Sequence, residues 1–334
     1  VLVRRVSIND KPVLGIAWAA DGDHLAIASA DSTVSLIEPD GTITRRISGH
    51  RTNVLAVAWS PDSRLVASGS EDMTVRVHTV AGSLVTTLTG QMQPVTSVEF
   101  TPDGKRLVIA ERGIHVLIRS TSSWKIEKLV KAHGDVVWDL SIAADGTRFA
   151  TGSKDRTVKL WSIAGEPLFA FEPLADEIWT LAFSPDMKRL ACGLKNGTTA
   201  ILDIATRRVA TILKGHREGV LGVAWTPDGT RLATGSRDGT ISVANTLAKK
   251  YENVTVLTLS EADYGNALRQ GINAARGEFV ICEEIDLCDT VFHRQALTLL
   301  ENPSIDIVVG SKLLAGASDE RPFMRHAASS IYSL

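Results

Sequence analysis

Four carboxylates crowd the segment FVICEEIDLCD, Phe279–Asp289: Glu283, Glu284, Asp286 and Asp289. They follow a short apolar strand, at the kind of strand end beyond which open α/β sheets hold their ligands. A second set of groups that could do chemistry is spread more widely. His50, His133 and His216 are each followed 22 residues later by an aspartate, Asp72, Asp155 and Asp238. Such residues could bind a metal or move protons if they converged. They fall one pair per repeat of a longer pattern, so they do not meet at one site. Their reading is structural, a buried imidazole donating to a buried carboxylate so that both are satisfied. Cys282 and Cys288 lack a zinc-ligand spacing and have no second pair.

The elements that position the His–Asp pairs repeat regularly. WSPDSRLVASGSEDMTVRVH (59–78) returns as FTPDGKRLVIAERGIHVLIR, IAADGTRFATGSKDRTVKLW, FSPDMKRLACGLKNGTTAIL and WTPDGTRLATGSRDGTISVA, after a first copy WAADGDHLAIASADSTVSLI. The turn aspartates Asp21, Asp62, Asp103, Asp145, Asp186 and Asp228 stand 41 or 42 residues apart. Alternating apolar strands between Asp-Gly or Pro-Asp turns are the pattern of antiparallel hairpins, and a period of this length marks a repeat architecture.

On these motifs, residues 1–246 resemble the WD-repeat β-propellers, which build one four-stranded blade per repeat around a central channel. The matching marks are Gly49-His50, Ala132-His133 and Gly215-His216 with their aspartates, and only the fourth unit also has the terminal tryptophan, Trp161. Elsewhere that position holds Ile37, His78, Arg119, Leu202 or Ala244, and the aspartate becomes Gly113 or Asn196. The expected fold is an all-β propeller of six blades. Either Leu2–Ile8 pairs with the last strand and closes a six-bladed ring, or a seventh blade is missing and a seam stays open with its strand edges exposed. The resemblance implies a platform for proteins or peptides with no cofactor. Its rim positions are Leu14, Leu55, Thr96, Trp138, Trp179 and Leu221. Trp138 and Trp179, flanked by Asp135, Asp139, Asp176 and Glu177, either anchor a partner as rigid rings or fill space between blades.

After Asn245 the pattern stops. Val254–Leu259 reads as a strand and Tyr264–Arg276 as a helix stopped by Gly277. Glu278–Cys282 is a second strand, a helix follows to Leu300, and Ile305–Val309 is a third strand. That order predicts a parallel α/β sheet. DYGNALRQGINAARGEF, the acidic EEID and DIVVGSKLLAGASDERPFMRH give residues 247–334 a resemblance to family-two glycosyltransferases of the GT-A kind. The resemblance implies a nucleotide-sugar donor and a magnesium or manganese ion for the departing diphosphate. It places that metal on Glu284 and Asp286, a Glu-x-Asp where the family has Asp-x-Asp. Lys312, Arg321 and Arg325 either meet phosphate, including a lipid-phosphate acceptor, or are surface charges. The family's first strand and loop, which hold the base, have no counterpart between Asn245 and Val254. This segment is therefore expected to be incomplete and inactive as it stands; the alternative is a fusion transferase completed by the missing donor-binding region.

Composition narrows the remaining classes. A hydrophobic share of 44% with 22% charge is that of a folded protein. Net charge is −2, with 28 Lys and Arg against 26 Asp and Glu in residues 1–246 and 8 against 12 in residues 247–334. That balance argues against broad nucleic-acid binding. Three cysteines make no disulfide framework and fit a cytoplasmic setting, and no apolar run is long enough to span a membrane.

Overall fold

The computed structural model describes residues 10–238 and 241–244, the last four by backbone alone. All of them fall in one of the two compact units into which the chain divides, Val6–Lys250. The strand expected at Leu2–Ile8 and every element expected after Asn245, with Glu284 and Asp286, lie outside the described residues.

The described residues form 23 strands in six antiparallel sheets. Blade 1 is β1 (Val13–Trp18), β2 (Leu25–Ser29), β3 (Val34–Ile37) and β4 (Ile43–Ile47). Blade 2 is β5 (Val54–Trp59), β6 (Leu65–Ser70), β7 (Val75–Thr79) and β8 (Leu84–Leu88). Blade 3 is β9 (Val95–Phe100), β10 (Arg106–Glu111), β11 (His115–Ser120) and β12 (Ile126–Lys131). Blade 4 is β13 (Val137–Ile142), β14 (Arg148–Ser153), β15 (Val158–Ser162) and β16 (Pro167–Ala170). Blade 5 is β17 (Ile178–Phe183), β18 (Arg189–Leu194), β19 (Thr199–Asp203) and β20 (Arg208–Leu213). Blade 6 has three strands, β21 (Val220–Trp225), β22 (Leu232–Ser236) and β23 (Ile241–Ala244). In every sheet the strands lie in chain order, and the first strands of successive blades pack together from β1 through β21. This is the arrangement of a propeller, with the first strands on the inside.

The turn chemistry explains why each β1–β2 type hairpin forms where it does. In blade 2 the Ser60 hydroxyl donates to the Asp62 carboxylate at 2.6 Å, which accepts the Arg64 N–H at 3.2 Å. Thr101 with Asp103 and Ser184 with Asp186 repeat the device. The residue after each aspartate is left-handed: Gly22, Ser63, Gly104, Gly146, Met187 and Gly229 have φ between 57° and 77°. Glycine occupies four of these six positions because it alone adopts them without a steric cost.

Blades meet through knobs and holes. Val54, Val95, Val137, Ile178 and Val220 open their inner strands and are fully buried. Gly69 of blade 2 receives Val95, Gly152 of blade 4 receives Ile178, and Gly193 of blade 5 receives Val220. A methyl at any of these glycines would approach the facing side chain to 2.4–2.6 Å, so the position takes only a hydrogen.

Candidate functional site

Every first strand carries a β-bulge one residue in. Val13 pairs with Ser29 and Gly15 with Ala28, so Leu14 has no opposite number. The same skip leaves Leu55, Thr96, Trp138, Trp179 and Leu221 unpaired in the other five blades. A bulge re-aims its extra side chain and bends the strand. All six rim positions therefore project from bulges at the same end of the first strands.

Trp138 and Trp179 sit in this row, both half-buried. The Arg112 guanidinium lies over the Trp138 ring, 5.7 Å from its centroid, and the buried Trp138 Nε1 has no hydrogen-bond partner. The Trp179 ring presses on Gly219, where a β-carbon would come within 2.1 Å, and its Nε1–H donates to Glu177 at 3.4 Å. In blades 3 to 6 the residue after the second strand supplies a cation on this side. Arg112 pairs with Glu71 at 3.3 Å, Lys154 with Asp135 at 3.9 Å, Lys195 with Glu177 at 2.8 Å and Arg237 with Glu218 at 3.9 Å. Burial disfavours the charged Glu177 carboxylate, but the Lys195 and Trp179 donors outweigh it and hold it below the usual range.

Asp139 corrects the reading that made it a rim acid. Past the bulge it faces blade 5, where its carboxylate accepts the Leu181 N–H at 3.0 Å and its own strand's Leu140 N–H at 2.9 Å. Glu99 of blade 3 does the same for the Ile142 N–H of blade 4 at 2.7 Å. Both residues show some surface to solvent, yet their carboxyls are enclosed by protein. Burial, followed by the neighbouring Asp139 charge, pushes Glu99 up to about 8, and burial also raises Asp139. Sequence reasoning missed Glu99 and Arg112, since neither sits in a recognisable motif.

The His–Asp pairs lie inside single blades. His50 Nδ1 is 3.0 Å from Asp72, His133 Nδ1 3.0 Å from Asp155 and His216 Nδ1 3.3 Å from Asp238. Each histidine also meets a hydroxyl through Nε2: Ser68 at 2.9 Å, Thr151 at 2.7 Å and Thr234 at 2.9 Å. These hydroxyls stand 18 residues after each histidine, a spacing that could have revealed them. In blade 4 the relay is longest, with Trp161 Nε1–H donating to Thr151 at 3.0 Å. Each aspartate also accepts the N–H of the residue following its histidine, Arg51, Gly134 or Arg217. Burial holds the His50 and His133 imidazoles below the usual range, against the pull of their aspartates. Burial would raise Asp72 and Asp155, but their threonine, backbone and histidine donors bring both to about 2. A neutral imidazole donating to a carboxylate is a staple between an outer loop and a turn. Among the described residues no group of three or more His, Cys, Asp or Glu is placed to hold a metal. No helix among them is long and apolar enough to cross a membrane.

Repeated four-stranded antiparallel blades with an inner bulge and a His–Asp staple define a repeat propeller. Residues 2–38, 41–79, 82–112, 124–162 and 207–245 match the family described as WD domain, G-beta repeat, together more than half of the chain. The chain belongs to the WD-repeat family, and it is joined to a glycosyltransferase-like segment, since residues 233–328 match Glycosyl transferase family 2. The two matches overlap at 233–245, where β22 and β23 are nevertheless blade strands paired with each other. No curated protein matches the chain. The first three strands of blade 5, β17–β19, fall in none of the five repeat matches, although β17–β20 form the same sheet as the others. Its staple positions hold Leu174, Asn196 and Leu202, and the two leucines are buried in an apolar cluster instead.

Proposed function

We propose that residues 1–246, as six WD blades, act as a protein-interaction scaffold whose rim captures a protein or peptide, with Trp138 and Trp179 as the anchors. The row of bulges is the observation that supports this reading. It lifts one side chain per blade out of the blade stack, and adjacent blades 4 and 5 place the two largest there. Rim cations and carboxylates neutralise one another, so the contact is made chiefly by apolar rings. Rigid aromatic anchors gain contact area at little entropic cost. The setting is cytoplasmic and reducing, and nucleic acid is not a partner.

Substituting Trp138→Ala and Trp179→Ala together tests the proposal. Partners recovered from the native cell on the intact chain and on the double variant are compared by quantitative mass spectrometry, with the urea midpoint as a folding control. The expected result is at least a ten-fold loss of the recovered partners. An unchanged set, in a folded variant, returns both rings to the role of packing between blades.

The family match over residues 233–328 favours a second activity for the segment 247–334. In this reading Glu284 and Asp286 hold magnesium or manganese against the diphosphate of a nucleotide sugar, for transfer to a lipid-phosphate or other acceptor once a donor-binding region is present. Manganese-dependent binding of a nucleotide sugar, abolished by Asp286→Ala, is the expected result. No binding in the intact protein leaves the segment an inert remnant.

A further inference from the structure

Along the first strands, blades 3 and 4 depart from their neighbours. Val57, Val98, Leu140 and Leu181 are buried in the blade cores, so the residues flanking each of them lie on the opposite face of the strand. In blades 1, 2 and 6 that face carries only small residues: Gly15, Ala17, Ala56, Ala58, Gly222 and Ala224. In blades 3 and 4 it carries Ser97, Glu99, Asp139 and Ser141. The two carboxyls lace three blades together. Glu99 accepts the Ile142 N–H of blade 4 at 2.7 Å. Asp139 accepts the Leu181 N–H of blade 5 at 3.0 Å and is hydrogen-bonded by the Ser97 and Thr180 side chains on either side. Asp139 also directly follows the bulged Trp138 and accepts the Leu140 N–H at 2.9 Å, so its carboxylate fastens the bulge from below. From blade 3 the Thr96 hydroxyl donates to the Val137 carbonyl at 2.9 Å, fastening it from the other side.

The surroundings bring no cation to this pair. Strands β5, β6 and β17 pack against it without an ionisable side chain. Strand β10 carries Arg106, paired with Glu127 at 2.7 Å, and Glu111, which accepts the Met92 N–H. Strand β14 carries Arg148, which donates to the Met187 carbonyl at 3.2 Å. Strand β18 carries Arg189, which acts on Asp186 and Asp203, and the Cys192 thiol, which burial and then the Asp139 charge push up. The charged neighbour that acts on Glu99 is Asp139 itself.

We propose that Glu99 and Asp139 form a proton-operated latch across blades 3 to 5, which holds the Trp138 bulge in place while one of the two carboxyls keeps its proton and lets it shift when both are ionised. The proposal rests on the reading of Trp138 as a rim anchor and gives that anchor a control. Two like charges in an enclosed site repel strongly, because little solvent screens them. Burial and then the Asp139 charge lift Glu99 to about 8, so Asp139 is the first to ionise and Glu99 holds the proton that matters. When that proton leaves, the second charge meets a carboxylate and no cation. The paired residues of β13 are fixed by their ladder to β14, whereas Trp138 has no opposite number there. Relief therefore falls on the bulge, the one part of the strand that the ladder does not hold. Below the midpoint Trp138 keeps its place under the Arg112 guanidinium; above it the ring is displaced, and capture at the rim weakens as pH rises.

The test needs no partner, so its outcome is separate from that of the capture experiment above. The full chain is labelled with 5-fluorotryptophan, and Trp138→Phe and Trp161→Phe identify those two fluorine resonances. Each is followed through a pH series in the parent and in Glu99→Gln, which keeps an acceptor for the Ile142 N–H and cannot ionise. The expected result is a shift of the Trp138 resonance with a midpoint of about 8 in the parent and its loss in Glu99→Gln. Trp161, buried in the same blade, is expected to stay still in both. A second variant, Asp139→Asn, removes the neighbouring charge and is expected to lower the Trp138 midpoint. A Trp138 resonance that does not move in the parent overturns the latch. The same movement in Glu99→Gln assigns the proton to another group and overturns it too. A midpoint unchanged by Asp139→Asn shows that the two carboxyls are not coupled, and Trp161 moving together with Trp138 shows that the whole blade loosens; either result overturns the proposal.

Discussion

Blades 3 and 4 are neighbours with one fold and two ways of fastening it. Blade 4 runs a relay from Trp161 through Thr151 and His133 to Asp155. Blade 3 has Ile109, Gln91, Gly113 and Arg119 at those four places, and none of the relay is possible. Arg119 takes over part of the task. Buried in the tryptophan's position, it donates to the Trp124 carbonyl at 2.8 Å and to the Thr89 carbonyl, tying two loops through one guanidinium. Glu111 stands nearby and accepts the Met92 N–H at 3.1 Å. Burial lowers Arg119 and raises Glu111, so each charge is costly on its own and eased by the other. Strand register and the knobs of the blade interfaces are the same in both blades. The staple therefore adds stability to a blade whose shape is already set by packing.

The largest effect expected from this comparison is in blade 4. Asp155→Ala strands the His133 imidazole and the Gly134 N–H, and the cost expected for breaking such a buried pair is about 3 kcal/mol. The matching change in blade 3, Gly113→Ala, removes no partner and is expected to cost under about 1 kcal/mol. Urea unfolding of both variants decides the point. An Asp155→Ala cost as small as that of Gly113→Ala would mean that the relay is decoration.

A smaller effect lies between the two blades, at Glu99. Its folded-state pKa is raised to about 8 by burial and then by Asp139, from an ordinary value of 4.5. Between those values the unfolded chain releases the proton while the folded chain keeps it, so stability falls as pH rises from about 4.5 to about 8. Glu99→Gln keeps an acceptor for the Ile142 N–H and removes the titration. The variant is expected to match the parent near pH 4.5 and to gain stability over it progressively as pH rises to 8. Parallel pH profiles for the two proteins would place the titrating group elsewhere.

How much of this was legible beforehand follows the same contrast. The 41- or 42-residue turn spacing and the alternating strands carried the blades, including blade 5, because period and hairpin chemistry are local. The His–Asp staples were legible for the same reason. The bulges were not, since an added residue in a strand looks like any other in an alternating pattern. That one omission moved two residues: it hid why Trp138 reaches the rim, and it reversed the facing of Asp139, which turns inward to blade 5. Glu99 was invisible because its state depends on the blade that stands beside it.

The finest test of what is local concerns the left-handed turn position. Blade 4 has Gly146 there at φ 67°, and blade 5 has Met187 at φ 57°. A side chain in this region costs about 1–2 kcal/mol, against the chain entropy of about 0.4–1 kcal/mol that glycine adds to the unfolded state. Ser63, the other non-glycine, recovers part of that cost, because its hydroxyl accepts the Asp21 N–H at 3.1 Å across to blade 1. Met187 has no such bond from its side chain. Its backbone accepts from Arg148 at 3.2 Å and donates to Ser184 at 2.8 Å, and glycine keeps both. Met187→Gly is therefore expected to stabilise the protein by about 0.5 kcal/mol, with Gly146→Met losing a similar amount or more. A loss on Met187→Gly would show that the thioether's packing outweighs its backbone cost, and that this turn is fixed by its surroundings and not by its own conformation.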